Sequence, residues 1–92
     1  MTLATALYGG GIKSIQNGTI TVANTTSSNT ATISSVNTAK AFVLHNGSSN
    51  TSNLATDDAN FRVALTNATT VTATRGNQDL PVVVAYTVVE FY

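Results

Sequence analysis

Residues 61–74 read FRVALTNATTVTAT, with apolar and polar positions taking turns. Successive side chains of an extended strand point to opposite faces, so Phe61, Val63 and Leu65 share one side, and Arg62, Ala64 and Thr66 the other. Thr66-Asn67-Ala68-Thr69 predicts a tight reversal. Val71 and Ala73 then resume the inward face, and Thr70, Thr72 and Thr74 take the outward one. Threonine is β-branched, which favours strands, and opposed threonines form favourable cross-strand pairs. In such a hairpin, opposed residues have numbers summing to about 135. Arg62 then falls across from Ala73 or Thr74, close to Arg75, and the two cations are expected to attract a carboxylate from Asp79, Glu90 or a partner.

The rest of the chain repeats this grammar. Ile12 to Ile15 and Thr19-Ile20-Thr21-Val22 are strand-like, and the intervening Asn17-Gly18 predicts a bulge in one long strand rather than a hairpin, whose first arm would be very short. Ala23 to Thr30 is polar and predicts a turn. Ala31 and Ile33 then alternate with threonine and serine until Val36 falls out of phase, so this strand is expected to end or bulge near Ser34-Ser35. Lys40 to His45 is apolar on alternate and intervening positions alike, the pattern of a strand covered on both faces. Asn46 to Asn60 reads as a long loop with Leu54 its only large apolar residue. Arg75 to Asp79 turns the chain, and Pro81 opens a final strand, where its missing N–H is tolerated. Val82 to Tyr92 is apolar on both faces, so one face is expected in the core and the other against another sheet or subunit, with the Phe91-Tyr92 end packed.

No stretch of ten residues carries a helical period. The pattern predicts an all-β fold of about six strands, a small antiparallel β-sandwich or partly open barrel, over residues 12–92. Residues 1–11 read as a flexible N-terminal arm with a joint at Gly9, Gly10 and Gly11. Its Leu3, Leu7 and Tyr8 either belong to a frayed end or are held by a neighbouring subunit.

Composition sharpens this picture. The chain has 92 residues, short enough for one domain. Hydrophobic residues make up 42%, which permits a core, but charged residues only 9%, against roughly 25% in an ordinary soluble protein. Lys13, Lys40, Arg62 and Arg75 balance Asp57, Asp58, Asp79 and Glu90 to a net charge of zero. No basic stripe exists to neutralise phosphates, which argues against nucleic-acid binding. Seventeen threonines, ten asparagines and eight serines stand where charge normally would, and such a surface lets subunits approach without repulsion. There is no cysteine, so no disulfide or thiolate metal site staples a core that is marginal at this size. Oligomerisation or docking on a larger partner is the usual remedy. No apolar run approaches the ~18 residues of a membrane span. The N-terminus lacks the basic and apolar regions of a secretory leader, so no membrane association is expected.

Candidate chemistry is sparse. His45 is the only histidine, which removes a multi-histidine metal site within one chain. Ser48, Ser49 and Asp57 near it permit a triad on paper, yet serine is abundant and no strained nucleophile turn is visible. The simpler reading is that His45 caps a strand at the loop entrance. Asp57, Asp58 and Asn60 offer oxygen ligands, but adjacent aspartates diverge and calcium recruits six to eight oxygens from spaced positions. A solvated loop fits better. Gly9-Gly10-Gly11 before Ile-Lys-Ser lacks the glycine-lysine-serine order of a phosphate loop. Five Asn-x-Ser/Thr triplets, at Asn17, Asn24, Asn46, Asn50 and Asn67, arise readily from this composition. No catalysis, cofactor or metal is expected.

Ser14 to Val22 (SIQNGTITV) and Thr30 to Lys40 (TATISSVNTAK) resemble segments of a group of short virion proteins of tailed bacteriophages, as do Arg62 to Arg75 and the Val88-Val89-Glu90-Phe91 ending. The resemblance spans most of residues 12–92. It departs at Asn17, where the group suggests a basic residue, and leaves the arm and the 46–60 loop without counterparts. These patterns are structural, so the resemblance implies a role and no catalytic site. It implies a virion component made in the host cytoplasm, most simply a cement or decoration protein on the outer capsid surface, bridging capsomer junctions. The implied partners are the major capsid protein and further copies, as a dimer or trimer. Leu3, Leu7, Tyr8, Arg62, Thr70, Thr72, Thr74, Arg75, Phe91 and Tyr92 are the expected contact residues. A tail or fibre accessory subunit is the alternative within the virion. From another class, a carbohydrate-binding β-module would need aromatic platforms, and the chain has no tryptophan.

Overall fold

The computed structural model describes residues 11–50, 61–76 and 80–92, with Asn50 described by its backbone alone. The proposed arm at residues 1–10 and the acidic stretch at Asp57-Asp58 lie outside them, as does Asp79. Six strands run in the order β1 (Ile12–Val22), β2 (Ser28–Thr32), β3 (Ala41–Asn50), β4 (Phe61–Asn67), β5 (Thr70–Arg75) and β6 (Val82–Phe91), with one 3-10 turn at Thr38–Lys40. They form two antiparallel three-stranded sheets, β1-β6-β3 and β2-β5-β4. The sheets do not close on each other, so the architecture is a sandwich.

Alternation decides what lies between the sheets. In the first sheet the inward residues are Ile20 and Val22 of β1 with Val82, Val84, Tyr86 and Val88 of β6; in the second they are Val71 and Ala73 of β5. All are nearly or fully buried, and Phe61, Val63, Leu65, Ala31 and Val43 pack around them. β5 is the centre of its sheet. Its inward positions are valine, alanine and arginine, while every outward one is threonine. The predicted hairpin forms with numbers summing to 136, as in Arg62↔Thr74. The Asn67 carboxamide accepts the Thr69 backbone N–H at 2.9 Å and so closes the reversal, the local bond that makes asparagine a turn residue. The register slips by one between Leu65 and Asn67.

Several expectations are corrected. No bulge occurs at Asn17-Gly18: the register runs unbroken through Asn17↔Thr87 and Gly18↔Tyr86, and the irregularity sits between Ile12 and Ser14. Gly18 serves another purpose. A Cβ there would lie 2.7 Å from Tyr86 Cζ and 3.0 Å from Cε2, so the tyrosine ring occupies the space a side chain would take. The turn after β1 is shorter than predicted, because Ser28, Asn29 and Thr30 already pair with Thr74, Ala73 and Thr72. Their polarity reflects an exposed edge strand rather than a loop. Likewise β3 extends to Asn50, with Asn46 as the extra residue of a bulge and Gly47 at φ 123°. Only glycine accepts that angle readily, which lets polar residues continue the strand. Residues 51–60 of the predicted loop lie outside the described residues.

The connection between β2 and β3 covers one end of the sandwich. Ile33 and Val36 turn into the core. Their N–H groups bond the carbonyls of Thr69 and Ala68 at 2.9 Å, and the Gln16 carboxamide grips both backbone groups of Ser34. The β4–β5 reversal and β1 thus hold a segment that the alternation alone leaves unassigned.

Candidate interaction surfaces

The outward face of β2-β5-β4 consists of three rungs: Ser28–Thr74–Arg62, Thr30–Thr72–Ala64 and Thr32–Thr70–Asn67. The Thr66 and Thr72 hydroxyls bond each other across the sheet. Arg62 is the single charged side chain in these rungs. With the Thr66–Thr72 pair satisfied laterally and little charge beside it, the face is wettable yet cheap to desolvate. Three of the expected contact residues, Thr70, Thr72 and Thr74, share this face with Arg62.

Arg75 stands apart from them. It is 4% exposed and turns inward opposite Phe61. Its Nε donates to the Thr26 carbonyl at 3.1 Å and an Nη to the Ala23 carbonyl at 3.2 Å, while its guanidinium lies 5.8 Å from the Phe61 ring centroid. The backbone N–H of Arg75 adds a bond to Ser27. Arg75 therefore braces the 23–27 turn, in which Thr25 adopts φ 67°. Sequence spacing brought the two arginines near one another, but strand parity sends them to opposite sides of the sheet. Beside them an open recess of roughly 590 Å³ is lined by His45, Phe61, Arg62, Thr74, Arg75 and Gly76. His45 does not cap a strand end as expected; it lies within β3 opposite Tyr86.

Glu90 does not meet an arginine among the described residues. It faces inward at the far end of β6, 4% exposed. Its carboxylate accepts the Asn37 N–H at 2.8 Å and the Ser14 hydroxyl at 3.2 Å, with Lys13 Nζ 3.9 Å away. The Asn37 N–H, aided by Lys13 and Ser14 and opposed by burial, holds the carboxyl below its ordinary value of 4.5. A depressed carboxylate stabilises the fold above its unfolded pKa, and that contribution fades as pH falls through the lower folded value. Urea denaturation of wild type and Glu90→Gln should therefore show a gap at neutral pH that narrows at an acidic pH below the ordinary glutamate value, since glutamine cannot titrate. An equal gap at both pH values would assign the effect to packing alone.

The outward face of β1-β6-β3 differs again. Ile15, Val89 and Phe42 form one row, and the Phe42 and Phe91 rings stack at 5.8 Å. Ile12 and Ile15 are each 54% exposed, Phe42 42%, Leu44 47%, Phe91 37% and Tyr92 64%. The expectation that both faces of β3 are covered thus fails among the described residues, where the outer face carries no layer. Below this cluster Thr87 donates to the Asn17 carboxamide oxygen at 2.6 Å and accepts from the Asn46 amide, a polar line that ends the apolar area. Phe91 and Tyr92 were legible as contact candidates. Ile12, Ile15, Phe42 and Leu44 were not, because only the register puts them beside Phe91.

The expected contact residues thus divide between two opposite faces, apart from Arg75, which is buried between the sheets, and Leu3, Leu7 and Tyr8, which lie outside the described residues. Among those described, no three His, Cys, Asp or Glu side chains gather as a metal site, and no helix is long and apolar enough to cross a membrane. No protein family, curated protein or solved structure matches this chain.

Proposed function

We propose that this protein is a structural component of a tailed-bacteriophage virion, a cement or decoration protein on the outer capsid surface. The observation that carries this reading is the threonine face of β2-β5-β4, a nearly uncharged surface on which β2 and β5 display short hydroxyl side chains beside Arg62, Ala64 and Asn67 of β4. Such a face can lie close against another protein with Arg62 as its single charge, and its Thr66–Thr72 hydroxyl bond survives the contact. The resemblance of residues 14–22, 30–40 and 62–75 to phage virion proteins supplies the particular partner, the major capsid protein. Individual contacts can be weak, because many copies engaging one lattice add by avidity.

Quantitative mass spectrometry of purified particles tests this. A copy number that scales with the number of capsomers is expected. A handful of copies per particle would move the protein to the tail, the alternative role, and absence from the particle would end the virion reading.

A further inference from the structure

We infer that the apolar end of the outward β1-β6-β3 face is a self-association surface, occupied by a second copy of this chain. This inference does not rest on the virion reading, since it uses the opposite side of the sandwich.

Four features select the occupant. First, among the described residues the large apolar side chains at least a third exposed are Ile12, Ile15, Phe42, Leu44, Phe91 and Tyr92, all within the first sheet or at its C-terminal margin. Such clustering in one place is what distinguishes an interaction patch from scattered surface residues. Second, the rows Ile15–Val89–Phe42 and Asn17–Thr87–Leu44 contain no charge, so these rows add no like-charge repulsion against an identical surface. Third, the strand order suits a two-fold arrangement. Ile15 and Phe42, each about half-exposed, lie on the strands either side of Val89. A two-fold axis running along β6 lays Ile15 of each copy over Phe42 of the other. That is an isologous contact, the commonest form of homodimer. Fourth, the size fits. Half-exposed side chains of this bulk present on the order of 100 Å² each, so the patch offers about 500 Å² per copy. Two copies together reach about 1,000 Å², the lower limit for a specific interface. The geometry therefore describes a weak, reversible dimer.

Sedimentation velocity on the full chain between about 1 µM and 1 mM tests this, a range chosen to bracket an interface of that size. A monomer–dimer equilibrium is expected. Phe42→Glu and, separately, Ile15→Lys should each weaken dimerisation at least about tenfold. Both side chains are half-exposed, so the variants should keep the wild-type circular dichroism spectrum and melting transition. Thr72→Lys, on the opposite sheet, should dimerise like wild type. A chain that stays monomeric throughout, or a dimer indifferent to both patch substitutions, overturns the inference. If only a chain lacking residues 1–10 dimerises, the patch is covered by the protein's own arm, and the inference fails in favour of that segment.

Discussion

Replacing Gly18 by alanine is expected to destabilise the domain by about 2–3 kcal/mol, the cost of over-packing a filled interior, read as a lower urea midpoint at unchanged slope. The added methyl would overlap the Tyr86 ring, with Cζ only 2.7 Å away. Tyr86 is 5% exposed and inserted among Ile20, Val84 and Val88, so the ring cannot step aside without leaving the core. A chain of this size holds roughly 5–14 kcal/mol in total, so the loss is a large share of it. The cause can be isolated by a double-mutant cycle. In a Tyr86→Leu background, where the ring is gone, Gly18→Ala should cost about 1–2 kcal/mol less than in wild type, the coupling expected of residues in contact. Equal costs in both backgrounds would place the penalty in the backbone instead.

Gly18 also shows where sequence reasoning runs out. Asn-Gly is a turn or bulge signal, and nothing local distinguishes that use from a glycine emptied to receive an aromatic ring 68 positions away. The strand itself was legible, because Ile20 and Val22 alternate with threonine. The same holds for β5, whose inward residues are the ones buried, while β4 and β6 keep the alternation up to the slip after Leu65 and the buried Val89. What failed was the reading of polar stretches as loops. Ser28–Thr30 and Asn46–Asn50 are strands because backbone pairing to β5 and β6 tolerates any side chain on an exposed edge. Conversely, the two-sided apolar pattern of β3 suggests double coverage, yet Phe42 and Leu44 face outward. Alternation reports which residues share a face. It does not report whether anything covers that face, and so the apolar patch emerged only from the pairing of Phe42 and Ile15 with Val89.

The two arginines that sequence spacing grouped together should separate sharply on substitution. Arg75→Ala is expected to cost about 2–3 kcal/mol, while Arg62→Ala should stay within about 0.5 kcal/mol of wild type, as exposed positions usually do. Arg75 is buried, and its guanidinium donates to two carbonyls of the 23–27 turn while stacking near Phe61. Hydrogen bonds from a charged donor contribute about 1.5–3 kcal/mol, part of which returns when water reaches the freed carbonyls. The lost packing of the aliphatic stem adds to this. The damage should be local in its first effect. Amide exchange at residues 23–27 is expected to accelerate before the β1–β6 ladder is affected, because that turn loses the two bonds from the guanidinium. Arg75→Lys should recover little, since a single ammonium cannot reproduce two divergent N–H donors on a planar fork. Comparable losses from Arg62→Ala and Arg75→Ala would refute the division of roles, and would return both side chains to a single surface function.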